Sequence, residues 1–220
     1  MDGAGEAIEV RRLVLGPIQA NGYLVRRRRG SRCVLVDPGA DSDVVISALE
    51  DWETDPVAIL LTHAHLDHVG GVAGVHRRFD VPIYLHPHDR PLYDAAVDQG
   101  RVFGLEIEAP PAPDRDLADG QRLELADLPF EVRHAPGHSP GGVVFVLPGN
   151  AFVGDCVFAG SVGRVDLPGG DAATLLRSIR EKILTLPEDT VLWSGHGAET
   201  TVGREARTNP FLSGAFGWSG

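Results

Sequence analysis

Cysteine is scarce in this chain, with Cys33 and Cys156 alone among 220 residues. No disulfide framework is needed, because a chain of this length buries about 70% of its unfolded surface on folding. So sparse a usage fits a reducing compartment. Cys33 lies in a strand-like run and reads as a small core residue, and Cys156 reads as packing beside Asp155. Long apolar runs are missing as well. No segment approaches the roughly 18 consecutive apolar residues of a membrane span. The opening Met1-Asp2-Gly3-Ala4-Gly5-Glu6 is acidic and lacks the hydrophobic stretch of a secretory signal, so the cytoplasm is the expected location. Positive charge is in short supply: 20 Lys and Arg face 31 Asp and Glu, a formal net charge of −11. Nucleic acid is therefore not an expected partner, since binding it requires a cationic surface. Arg26-Arg27-Arg28-Arg29 interrupts this pattern, but it lies between two strand-like runs beside Gly30-Ser31 and reads as a solvated hairpin tip.

What is present is metal chemistry. The run His63-Ala64-His65-Leu66-Asp67-His68 places four metal-competent side chains in six residues, between apolar Ala58-Ile59-Leu60-Leu61 and Gly70-Gly71. In an extended segment, His63 and His65 point to one side. If a helix starts near Leu66, Asp67 and His68 leave its first turn in another direction, so one segment can serve two neighbouring ions. Imidazole and carboxylate suit zinc and non-haem iron. Three further candidates share this context: His138 after the run ending at Val132, Asp155 after Ala151-Phe152-Val153-Gly154, and His196 after Val191-Leu192-Trp193. Open α/β sheets gather chemistry at the carboxyl ends of strands.

The six-residue run resembles the signature of the metallo-β-lactamase-like superfamily. That resemblance implies an α/β fold of four layers, an αββα sandwich with two face-to-face sheets and helices outside. It assigns His63, His65 and His138 to one metal and Asp67, His68 and His196 to another, with Asp155 bridging. Two zinc ions, or zinc with iron, are the expected cofactors. Metals about 3.5–4 Å apart can share a water and lower its pKa to about 7, giving a hydroxide nucleophile. Asp67 would then orient that nucleophile and receive its proton, while Asp155 holds the pair together.

The segments Gly154-Asp155-Cys156-Val157-Phe158-Ala159-Gly160, Gly195-His196-Gly197-Ala198-Glu199 and Gly16-Pro17-Ile18-Gln19-Ala20-Asn21-Gly22 resemble the short bacterial glyoxalase II-like hydrolases. This implies hydrolysis of a hydroxyacylglutathione thioester such as S-lactoylglutathione. Full-length members of that family carry a C-terminal helical domain with cationic glutathione contacts and a tyrosine after the bridging Asp. Here the chain stops 24 residues after His196, and Val165-Asp166 stand where that tyrosine is expected. Loose substrate selectivity is the corresponding expectation. Arg164 could meet a substrate carboxylate, though an ion pair with Asp166 or Asp171 competes. Two alternatives stay open: a persulfide dioxygenase with one Fe(II) on His63, His138 and Asp155, and a metallohydrolase of another ester or lactone. The expected partner is a small thioester, possibly a glutathione conjugate, with no membrane contact and a monomeric or weakly dimeric state.

Periodicity gives a coarse layout. Strands are expected near 8–15, 21–25, 33–36, 82–85, 122–125, 130–134, 143–147, 151–153 and 191–193. Helices are expected over 41–52, after the metal motif, and over 171–184, where Leu175, Leu176, Ile179 and Ile183 recur at helical spacing. Residues 101–120 read as a long surface loop. Asp37, after Val34-Leu35-Val36, is a candidate acceptor for a ligand imidazole or a turn cap. His86 and His88 read as polar loop residues, His134 as packing near the site, and His76 as an exposed helix end. Phe211, Phe216 and Trp218 read as packing the C-terminus onto the sheet.

Overall fold

A computed structural model describes residues 7–213. The first sheet runs in chain order, β1 (Ile8–Leu15), β2 (Ala20–Arg27), β3 (Arg32–Val36), β4 (Asp55–Leu60), β5 (Ile83–Leu85) and β6 (Arg115–Asp116). The second contains β7 (Arg122–Leu125), β8 (Leu128–His134), β9 (Val143–Leu147) and β10 (Asn150–Gly154). A short ribbon, β11 (Val157–Phe158) with β12 (Ser161–Val162), follows Asp155. The second sheet is completed by β13 (Val191–Ser194) and β14 (Thr200–Thr201), in the order β14-β13-β10-β9-β8-β7. The helices are α1 (Ser42–Asp51), α2 (Leu66–Val69), α3 (Val72–Phe79), α4 (Arg90–Asp94), α5 (Ala96–Val102), α6 (Ala172–Ser178) and α7 (Val202–Thr208).

Side-chain alternation builds the layers. In β3, Cys33 and Leu35 face one way and pack on Val45 and Leu49 of α1 and Val72 and Val75 of α3. Val34 and Val36 face the other way and meet Phe130 and Val132 of β8, Phe145 of β9 and Phe152 of β10. On the far side of the second sheet, Val144, Ala151, Val153 and Leu192 pack on Leu175 and Ile179. Three apolar layers between four structural ones make an αββα sandwich, the expected architecture. Strands buried on both faces carry near-continuous apolar runs, which is why 33–36 and 58–61 are hydrophobic without alternation.

Several elements differ from the sequence expectation. The helix after the metal motif is two helices, broken at Gly70-Gly71, and α4 and α5 occupy residues that showed no clear period. The 171–184 helix is α-helical only to Ser178 and then continues as a π-helical turn, Ile179–Ile183, with Leu184 N–H donating to the Ile179 carbonyl at 2.9 Å. Asp41 does precede α1, but its carboxylate accepts from Gly16 N–H at 2.7 Å and not from the helix. The arginine run ends β2; Arg26 lies over Trp52, 4.0 Å from its ring centroid, and pairs with Glu9 at 3.0 Å. Phe216 and Trp218 lie outside the described residues. Cys33 and Cys156 are both buried and free. Among the described residues, no helix is long and apolar enough to cross a membrane.

Candidate metal centre

All seven residues singled out as ligands converge at one rim of the sandwich. His63 and His65 follow β4, Asp67 and His68 lie on α2, His138 follows β8, Asp155 follows β10 and His196 follows β13. His63, His65 and His138 form one group of ring nitrogens within 4.8 Å of one another, and Asp67, His68 and His196 form a second. The two Asp155 oxygens face both groups: Oδ1 is 3.5 Å from His68 Nε2, and Oδ2 is 3.5 Å from His138 Nε2 and 3.6 Å from His196 Nε2. Donors about 2.0–2.2 Å from a tetrahedral ion stand about 3.3–3.6 Å apart. These separations are those of atoms arranged around shared cations.

The hydrogen bonds of the imidazoles fix which nitrogen is open. Thr62 Oγ1 donates to Asp37 Oδ2 at 2.6 Å, so it accepts from His63 Nδ1 at 3.1 Å and leaves His63 Nε2 bare. His68 Nδ1 donates to Asp37 Oδ2 at 3.0 Å, His138 Nδ1 to the Arg164 carbonyl at 2.8 Å and His196 Nδ1 to the Gln19 carbonyl at 3.3 Å. His65 presents Nδ1, 2.8 Å from His138 Nε2. Among the described residues, three of the four buried side-chain atoms without a protein partner are His63 Nε2, His68 Nε2 and Asp155 Oδ1. Buried polar atoms normally have partners, and a pair of cations would satisfy these. The residues therefore fit divalent metal.

Electrostatics agree. Burial drives His63 well below its ordinary value and His65 down to about 4, with His138 adding to both effects. Burial opposes the charge on His68 too, but Asp67, Asp155 and Asp37 outweigh it and raise the ring well above its ordinary value. For Asp67 and Asp155 burial acts upward, and the neighbouring His68 and His196 overcome it and hold both carboxyls low. In the metal-free chain, protons on imidazole balance the carboxylates, and metal binding would replace them.

Asp37 takes the acceptor role: besides His68 it receives Thr62 N–H at 2.7 Å. Sequence reasoning missed Asp89. It is fully buried, and its Oδ2 accepts from Ala64 N–H at 3.0 Å and from Ser139 Oγ at 2.8 Å, while Oδ1 accepts from Gly141 N–H. One carboxylate thus ties the loop carrying His63 and His65 to the loop carrying His138. Gly141 must be glycine there, since a Cβ would stand 2.8 Å from the Asp89 carboxyl carbon. The available signal was position: Asp89 follows β5, another strand ending at the same rim. Arg164 is committed to Asp166, with two bonds of 2.7 Å.

This fold and this pair of triads define a metallo-β-lactamase superfamily protein, and residues 15–196 match the model of that superfamily, to which the chain belongs. Among curated relatives, the probable metallo-hydrolase YqgX of Bacillus subtilis is 42% identical over 93% of this chain and 97% of its own. The hydroxyacylglutathione hydrolase GloC of Haemophilus influenzae is 39% identical over 81% of this chain and 86% of its own. Among solved structures, BLEG-1 B3 metallo-β-lactamase superposes with a TM-score of 0.88 at 41% identity, over 94% of this chain and all of that one. TTHA1623 in a di-iron-bound form gives 0.85 at 48% identity, over 92% and 100%. The chain is a metallo-hydrolase of this superfamily.

Proposed function

We propose that this metallo-hydrolase is dinuclear and cleaves a thioester of the hydroxyacylglutathione type, such as S-lactoylglutathione. The observation that carries the dinuclear reading is the completeness of both triads around Asp155, with the open nitrogen of four of the five imidazoles, His63, His68, His138 and His196, set by a protein hydrogen bond. Zinc and iron both suit this donor set, and the likeness to di-iron TTHA1623 supports iron as well as zinc. When bound, such ions supply Lewis acidity that makes water nucleophilic at neutral pH and draws charge from a carbonyl oxygen. Asp67 Oδ2, 3.1 Å from His196 Nε2 and partly open to solvent, is placed to accept the proton of the attacking water. Asp155, nearly buried between the triads, holds their nitrogens in register. His68 is kept in one tautomer by Asp37, so its orientation does not depend on the substrate.

The thioester assignment is supported by the likeness to GloC. The likeness to BLEG-1 supports β-lactams as the rival substrate. Elemental analysis together with rates on S-lactoylglutathione, a β-lactam and, by oxygen uptake, glutathione persulfide decides among them. Two metals per chain with thioester turnover is the expected result. Oxygen consumption on one iron without thioester cleavage, or β-lactam turnover alone, would overturn it.

A further inference from the structure

Beyond the seven residues, the described part of the chain contains another convergence of imidazoles. His86 follows β5 of the first sheet, His88 lies in the 3-10 turn Pro87–Asp89, and His134 ends β8 of the second sheet. The ring nitrogens that these three can offer lie within 4.8 Å of one another. His86 is only 7% exposed. Its Nδ1 accepts from His88 N–H at a long 3.3 Å, and His134 Nε2 donates to the Pro140 carbonyl at 3.0 Å. No protein hydrogen bond reaches His86 Nε2, His134 Nδ1 or either ring nitrogen of His88 among the described residues. His86 Nε2 is not one of the sealed, partnerless atoms among the described residues, so solvent, and with it an ion, can reach it.

We propose that His86, His88 and His134 form a separate, outer site for a divalent ion of the zinc, nickel or copper type, bridging the two sheets. Imidazole is the ligand those ions share. Metal requires neutral rings, and burial together with His134 and His88 lowers His86 to about 4; the neutral ring accepts at Nδ1 and carries its one proton on Nε2, so binding there moves that proton to Nδ1 at the cost of the long His88 N–H bond. Ring orientation sets the strength. In the first catalytic triad the rings meet at 80–88°, whereas His86 and His134 lie face to face, 4.0 Å between centroids and 7° between planes. Lone pairs in parallel planes do not converge on one point. His88 stands 76° from His86 and 69° from His134, so it forms the first chelate with one stacked ring, and the stack must open to give the third ligand. The outer site is therefore weaker than the catalytic one and fills after it. Filling it pulls on His134, which holds Pro140 two residues from His138.

The test is a zinc titration, repeated with nickel, of holoenzyme stripped of loosely held metal, comparing wild type with His88→Ala and His134→Gln. His88 is exposed and is not one of the seven ligands, so His88→Ala keeps the resident metals and the activity of the holoenzyme. Wild type is expected to take up one equivalent more than His88→Ala, whatever the catalytic centre itself contains. His134→Gln should lose most of that extra uptake. Excess zinc should slow turnover in wild type and not in His88→Ala. Equal uptake by wild type and both variants, or no additional equivalent in wild type at millimolar zinc, would overturn the site.

Discussion

Replacing Asp89 by asparagine separates stability from metal binding in a way that can be worked through atom by atom. Asparagine keeps the shape and one acceptor oxygen. With that oxygen at the Oδ2 position, the bonds from Ala64 N–H and Ser139 Oγ survive, but the amide then points a donor at Gly141 N–H. A buried N–H left without an acceptor costs about 1–3 kcal/mol. Removing the charge works the other way. Burial raises the Asp89 carboxyl, and its hydrogen bonds only partly reverse the rise, so an ionised Asp89 costs the fold something that asparagine does not. The net loss is about 1–2 kcal/mol, or about 2–8 °C in Tm for a chain of this size.

The larger effect falls on metal. Ala64 sits between His63 and His65, and Ser139 and Gly141 follow His138, so the substitution loosens one triad and leaves Asp67, His68 and His196 as they are. Lost support of this kind costs about 10–100-fold in metal affinity. Chelator competition on Asp89→Asn, with thermal unfolding of loaded and metal-free protein, reads both quantities. The loaded form should lose more Tm than the metal-free form, because weaker binding adds to the intrinsic loss. A variant whose Tm falls equally in both forms, with metal affinity within twofold of wild type, would show that Asp89 only packs the loops and would refute the coupling.

Asp37→Ala should weaken metal at the His68 triad by about 10–100-fold, since it strips the acceptor from His68 Nδ1; recovery of affinity in Asp37→Asn, which can still accept, checks that orientation is the cause. Gly195→Ala introduces a Cβ that collides with Asp155 Oδ1 and stands 2.8 Å from His68 Cε1. A hundredfold or greater fall in kcat with little change in the metal-free Tm is expected, and wild-type turnover would count against the geometry. His86 has a folded pKa of about 4 below the ordinary 6.5, so the unfolded chain takes its proton first as pH falls. Stability tied to this ring is present above pH 6.5 and is lost as pH drops toward 4, so His86→Gln should show a shallower decline in Tm over that window. An identical slope in the two proteins would disprove the assignment.

The sheets were legible where burial on both faces left continuous apolar runs, as at Cys33-Val34-Leu35-Val36, and α1 was legible because Val45, Ala48 and Leu49 repeat at helical spacing. The four layers were not read from periodicity; they followed from family resemblance. Helices α4 and α5 went unseen because the faces they bury are small, with Tyr93, Ala96 and Gly100 as their buried residues and charged side chains between. Gly100 approaches Ile107 so closely that a Cβ would meet it at 2.6 Å, a contact made by a residue that contributes nothing to an apolar count. The π-helical end of the 171–184 segment was hidden for the opposite reason. Ile179 and Ile183 suit either helix type, so the same stripe serves both.

At the site, the local motif was legible because its ligands are adjacent in sequence, and the distant ones because each follows an apolar strand. What the sequence could not show was the proton arrangement. His63, His68, His138 and His196 each offer Nε2 because Nδ1 is occupied by Thr62, Asp37, the Arg164 carbonyl and the Gln19 carbonyl respectively. Two of those four acceptors are backbone oxygens, which any residue would provide, so no side-chain pattern encodes them. Asp89 was hidden by a related difficulty: its partners lie 25, 50 and 52 residues away, and two of the three are backbone N–H groups. The residues able to bind metal can be read from side-chain identity, whereas the atoms that do so are selected by main-chain groups that only the folded sheets bring alongside.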